Sequence, residues 1–208
     1  MVQPELHVLI AFGVLLYASA QDLKYMEIDD LAWKSLVVAG LVFVALDTIS
    51  NTGALLDFAI SILVMSAILI PLERLNKIGG GDVKILLGLA IILPRNPYTR
   101  ISVFPVFTLG VFTNAIFLTS AITIYFLARN LYHKDFNVES LSEVRFLFLG
   151  YKKKVSTVTE HDRVMKKMGG EAWVTPAVPF MVPLTLGFLL SIAWGDIPSY
   201  LILMPKLI

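Results

Sequence analysis

The sequence predicts an all-α, polytopic membrane protein with about six transmembrane helices and one cytosolic insertion. Three observations lead there. Of the 208 residues, 57% are hydrophobic and only 16% charged, with a mean hydropathy of +0.77, whereas a soluble domain carries about 25% charged residues. The apolar residues gather into six runs, too many and too long for a soluble core. Finally, the basic residues fall almost entirely on one side of those runs.

The runs cover roughly 5–20, 31–50, 53–72, 83–94, 102–128 and 177–195. The first is free of charge after Glu5 and lacks a basic start or a small-residue cleavage site, so it is expected to be retained as a helix. The second and third have the length of a crossing. The fourth, Val83 to Pro94, is shorter than the ~20 residues a crossing needs. It either recruits the preceding glycines or begins part-way into the membrane, where other helices must shield its backbone. A five-crossing arrangement with this run re-entrant stays open. The fifth run is long, and in the sixth Pro179 and Pro183 bend or interrupt the helix near its start.

With six crossings, Lys24, Lys34, Arg74, Lys77, Lys84 and the basic residues of 129–172 share one side, against Arg95, Arg100 and Lys206 on the other. The positive-inside rule places the first group in the cytosol and both chain ends outside. The chain then divides into a membrane part over 1–128, a soluble cytosolic insertion over 129–172, and a final membrane helix with a tail over 173–208. Within the insertion, Ser140 and Glu143 read as a helix start before Phe146 to Leu149, whose apolar side chains would rest on the membrane surface. Glu160 to Lys167 alternates charge as a solvated helix does. Lys152-Lys153-Lys154 points to anionic membrane lipid and away from nucleic acid, since no aromatic interleaving or binding module accompanies it.

Two aspartates carry the chemistry. Asp22 follows the first run, and Asp82 follows Gly79-Gly80-Gly81. A carboxylate at the hydrocarbon edge is costly unless paired or used, and both lie on the predicted cytosolic side. The plain reading of Asp22 is a helix-end carboxylate paired with Lys24, and that of Asp82 a helix cap. Three consecutive glycines, however, mark a special backbone path or a close approach. If the two carboxyls meet, they do not ionise together easily. One can then draw a proton from water while the other protonates a peptide carbonyl. That chemistry needs no cofactor and no metal. Zero cysteines exclude thiolate catalysis, and His7, His133 and His161 have no ligand spacing. A transporter or channel component using the aspartates as proton or cation sites is the alternative, and a membrane scaffold a third reading. Against transport, no internal repeat is visible and the aspartates lie away from the midplane. Asp57 and Asn114 read as interhelical hydrogen bonders.

Gly79-Gly80-Gly81-Asp82-Val83-Lys84 resembles the GxGD motif of intramembrane aspartyl proteases, specifically the prepilin and preflagellin peptidases. Ser19 to Tyr25 followed by Ile28-Asp29-Asp30 resembles their first aspartate motif, and Trp173 to Pro183 the late segment of the archaeal preflagellin peptidases. The resemblance runs to about Gly195. It implies a membrane aspartyl endopeptidase with Asp22 and Asp82 catalytic at the cytosolic face. Its expected partners are preflagellins or prepilins, pilin-like precursors with a short basic leader ahead of a hydrophobic helix. The absence of cysteines fits the archaeal, protease-only branch. Met26-Glu27-Ile28-Asp29-Asp30 departs from the basic residue and Pro-Asn of many prepilin peptidases, which leans towards the archaeal flagellar type. On this reading Glu27, Asp29 and Asp30 form an acidic patch for the leader. Gly79, Gly80, Gly81, Pro176 and Pro179 frame the site.

Overall fold

Every fourth residue or so of the first helix is buried: His7, Ala11, Leu15, Ala18, Ser19 and Asp22 share one face of α1 (Pro4–Tyr25). That spacing is one stripe of a 3.6-residue helix, so Asp22 turns inward with its apolar neighbours. In the computed structural model, which describes residues 4–98, 104–134, 143–159, 162–176 and 178–203, the same logic builds α2 (Asp30–Ser50) and α3 (Gly53–Arg74). The buried positions are Ala32, Leu36, Gly40 and Phe43 in α2 and Ser61, Met65 and Leu69 in α3. Asp29 starts α2 as its N-cap, accepting from the Leu31 N–H at 3.1 Å.

The short fourth run is explained by where its helix lies. α4 (Gly80–Ile92) has only 13 residues and buries seven of them, packed between α2 and α3. Its backbone is shielded by protein, as a helix below spanning length requires. Glycines permit that fit. A Cβ on Gly40 would lie 2.8 Å from the Ile92 backbone nitrogen, and one on Gly88 2.9 Å from the Leu36 Cβ. Small residues at such crossings are the usual means of association where burial from water drives little. Ser61 adds a hydrogen bond from Oγ to the Ala90 carbonyl, 2.9 Å.

The chain forms two compact units, residues 1–117 with 179–208, and residues 118–178. The first unit contains α1 to α4, the start of α5 (Phe107–His133), then α7 (Met181–Ala193) and α8 (Ile197–Leu203). α1, α2, α3 and α5 are long and apolar enough to cross a membrane. α7, at 13 residues, is shorter than the 177–195 run suggested, because it starts only at Met181. Pro179 therefore precedes the helix, and Pro183 occupies its first turn, where the missing N–H removes no helical bond. Neither kinks it. Asn114 is an interhelical hydrogen bonder: its Nδ2 donates to Ser191 Oγ at 2.9 Å and to the Gly195 carbonyl at 3.0 Å. Asp57 instead pairs with Arg95.

The second unit corrects the all-α expectation. It holds a three-stranded antiparallel sheet in the order β1 (Tyr151–Lys154), β3 (Glu171–Pro176), β2 (Asp162–Met168). The stretch read as a solvated helix over 160–167 is mostly strand β2; Glu160 and His161 lie outside the described residues. The reason is local. Met168 pairs with Glu171 across Gly169-Gly170, and Gly169 takes the positive φ of +59° that a tight hairpin demands. β3 then buries Ala172, Trp173 and Val174. The helix expected after Ser140 is the single turn α6 (Phe146–Leu149), with Ser140 itself outside the described residues. Phe146 is buried against Trp173, ring centroids 6.1 Å apart, so it does not rest on a membrane surface.

Candidate active site

Asp22 lies one turn from the end of α1, on the buried face that packs against α7. Its Oδ2 accepts a hydrogen bond from the Met181 N–H at 2.9 Å. Met181 opens α7, so the carboxylate occupies the positive end of that helix. One turn earlier, Ser19 Oγ donates to the Met181 carbonyl at 2.9 Å and lies 2.7 Å from Thr185 Oγ1. Thr185 Oγ1 in turn lies 3.2 Å from the Leu15 carbonyl. These bonds form a buried polar clasp between α1 and α7. Lys24 does not pair with Asp22; its ammonium sits over the Tyr25 ring at 4.8 Å.

Asp82 is the third residue of α4, and its carboxylate accepts from the N–H of Gly79, the N-cap. That is the returning half of a capping box, in which a residue three positions into the helix satisfies the cap's own donor. The glycines have separate reasons. A Cβ on Gly79 would stand 3.0 Å from Asp82 Oδ2, one on Gly80 2.8 Å from Glu73 Oε1, and one on Gly81 3.3 Å from Ile28 Cδ1. The bare strap lets two carboxylates and the Ile28 side chain of the α1–α2 loop approach it closely.

Asp22 and Asp82 line one pocket of about 370 Å³, with Met26, Glu27, Ile28, Gly79, Gly80, Gly81 and Lys84. The two carboxylates act on each other electrostatically. The volume is within the ~300–1,000 Å³ usual for small-ligand sites. Thus the structure brings together Asp22, Asp82, the three glycines and Glu27. Asp29, Asp30 and Pro179 are not among the lining residues. Asp29 is spent as a helix cap, and its own N–H donates to Gln21 Oε1 at 2.9 Å. Asp30 accepts from Trp33 Nε1 at 2.8 Å and pairs with Lys34 at 3.1 Å and Lys84 at 3.2 Å. Pro176 belongs to the second unit, where it ends β3. Lys84 and the Ser19–Thr185 clasp are site features that sequence reasoning missed. Lys84 had a signal, since it follows Asp82 by two residues; the clasp joins positions 166 apart and had none.

Residues 9–128 match the model of the type IV leader peptidase family, more than half of the chain. The chain belongs to this family. Residues 151–197 match a second model, the archaeal peptidase A24 C-terminus, type II. The chain is 30% identical to a preflagellin peptidase of Methanococcus maripaludis, over 91% of this chain and 95% of that protein. It is also 30% identical to one of Methanocaldococcus jannaschii, over 88% and 91%, and 25% identical to one of Methanococcus voltae, over 90% and 96%. A leader peptidase family favours peptide hydrolysis over the transport reading of the same aspartates.

Proposed function

We propose that this chain is an aspartic endopeptidase of the membrane that removes the leader peptide from preflagellin, with Asp22 and Asp82 as its catalytic pair. The observation that carries the reading is that these two carboxylates, sixty positions apart in sequence, line the same pocket. The kinship with preflagellin peptidases over most of both chains supplies the substrate. Other pilin-like precursors belong to the same substrate class.

The chemistry follows from the pair. One carboxylate, ionised, takes a proton from a water molecule as its oxygen attacks the scissile carbonyl carbon. The other, protonated, gives its proton to the carbonyl oxygen, forming a gem-diol. As the diol collapses, the first carboxyl passes the proton it took from water to the departing amine, the C–N bond breaks, and the second carboxylate takes a proton from a diol hydroxyl. Each carboxyl thereby regains its own starting state. The Met181 N–H fixes one oxygen of Asp22 and the Gly79 N–H holds Asp82, which leaves the remaining oxygens to face water and substrate. The cytosolic face is the proposed side of the reaction, since Lys24, Lys34, Arg74, Lys77 and Lys84 surround this end.

Coexpression with a preflagellin tests the proposal. Asp22→Asn and Asp82→Asn should each lower cleavage at least about 100-fold, the scale of general acid–base catalysis, with membrane insertion intact. Near-normal processing by either variant would sink the pair.

A further inference from the structure

We infer that Glu73 is a substrate-recognition residue whose carboxylate receives a lysine or arginine side chain of the peptide as it leaves the catalytic pocket across Gly79 and Gly80. The inference rests on the peptidase reading and deepens it.

A second pocket, of about 430 Å³, is lined by Glu73, Asn76, Lys77, Ile78, Gly79 and Gly80. It shares Gly79 and Gly80 with the catalytic pocket, so the two adjoin along one strap of side-chain-free backbone. An extended peptide advances about 3.3 Å per residue. A segment bound at the aspartates needs only a few more residues to reach the second pocket along that strap. Glu73 is placed to meet it. Its Oε1 stands 2.8 Å from the position a Gly80 Cβ would take, against the strap itself.

Of the neighbouring acids, Glu27 lines the catalytic pocket itself, and the other two are engaged elsewhere. Asp29 caps α2, and Asp30 is held by Trp33, Lys34 and Lys84. Among the described residues, no such tie occupies the Glu73 carboxylate. Lys77 lines the same pocket and repels a cation, so the favoured position is on the Gly80 side, beside Glu73. The chemical class selected is therefore a peptide with a basic side chain a few residues from the scissile bond.

The test uses the purified full-length chain and two preflagellins, one with its leader lysines and arginines intact and one with all of them changed to Gln. For Glu73→Gln, the ratio of kcat/KM for the basic over the neutral leader should fall about three- to fivefold, as for an exposed ion pair. The fall should appear in KM and shrink with added salt. A third substrate, with the leader bases changed to Glu, should be cleaved faster by Glu73→Lys than by the unaltered enzyme, a gain that misfolding cannot produce. An unchanged ratio, or equal losses on basic and neutral leaders, overturns the role of Glu73 while leaving the peptidase reading standing. Failure of the unaltered enzyme to cleave any of the substrates overturns the peptidase reading itself.

Discussion

Met181 is gripped at both of its peptide groups: its N–H by Asp22 and its carbonyl by Ser19. The orientation of Asp22 therefore depends on a hydroxyl one turn away. Ser19→Ala should remove about 1 kcal/mol and lower kcat severalfold with little change in KM, since Ser19 is buried against α7 and does not line the pocket. Steady-state kinetics beside a thermal melt checks this; an unaltered kcat would make the clasp merely structural. A pair that must hold one charge and one proton should also give a bell-shaped dependence of kcat/KM on pH. Activity should persist in EDTA, and loss restored by a divalent ion would return the aspartates to a metal-ligand reading. The aspartates were legible in the sequence because a carboxylate at the edge of an apolar run has so few inexpensive explanations. Ser19 and Thr185 were not, because a hydroxyl within an apolar run looks the same whether it bonds its own helix or a helix 166 positions away. Glu73, ending a helix beside Arg74 and close to Lys77, carries nothing in the sequence that separates it from ordinary surface charge.

At the scale of elements, α4 is the piece that carries Asp82, and its depth is set by how closely α2 lets it approach. Gly40→Ala places a methyl carbon 2.7 to 2.9 Å from Ile91 and the Ile92 backbone. That overpacking should cost about 1–3 kcal/mol and reduce cleavage, because the strap at the other end of α4 shifts with the helix. A thermal shift in detergent reads the first effect, and normal stability with full activity would refute it. The sequence showed that the fourth run was too short to cross and offered shielding by other helices as one solution, yet not which helices would supply it; burial around the helix leaves no amphipathic stripe to read. The opposite error occurred at β2. Its alternating charges fit a helix as well as a strand, and Gly169-Gly170, between runs that pair as Met168 and Glu171, was the deciding turn signal. In that sheet burial pushes the Asp162 carboxyl up, but Lys153 at 2.6 Å and the Thr159 N–H and hydroxyl prevail and hold it below the ordinary range. A lowered value means stabilisation that is complete above the unfolded-state pKa and lost as pH falls through the folded-state value. Asp162→Asn should therefore weaken hydrogen-exchange protection of β3 at neutral pH and make little difference in strong acid. Equal loss at both would exclude the ion pair as the cause.

Across the whole first unit, the connectivity separates two ends. Asp22, Asp82, Glu27 and Glu73 gather where α1 and α3 finish and α2 and α4 begin. At the other end, His7 stands 3.8 Å from Asp47, and Asp57 pairs with Arg95 around a separate pocket. Lys24, Lys34, Arg74, Lys77 and Lys84 belong to the first end, and Arg95 to the second. Such an imbalance in short connections determines orientation through the positive-inside rule. The aspartate end is therefore expected in the cytosol, where a precursor can be trimmed before it leaves the membrane. Because the chain has no cysteine of its own, single substitutions report each end without a background. Lys77→Cys should resist a membrane-impermeant maleimide in intact cells and react once they are opened, whereas Asn96→Cys should react in both. The reverse pattern would invert the whole unit and place the catalytic pair outside. Labelling of both positions in intact cells would mean that these two ends do not lie on opposite sides of one bilayer.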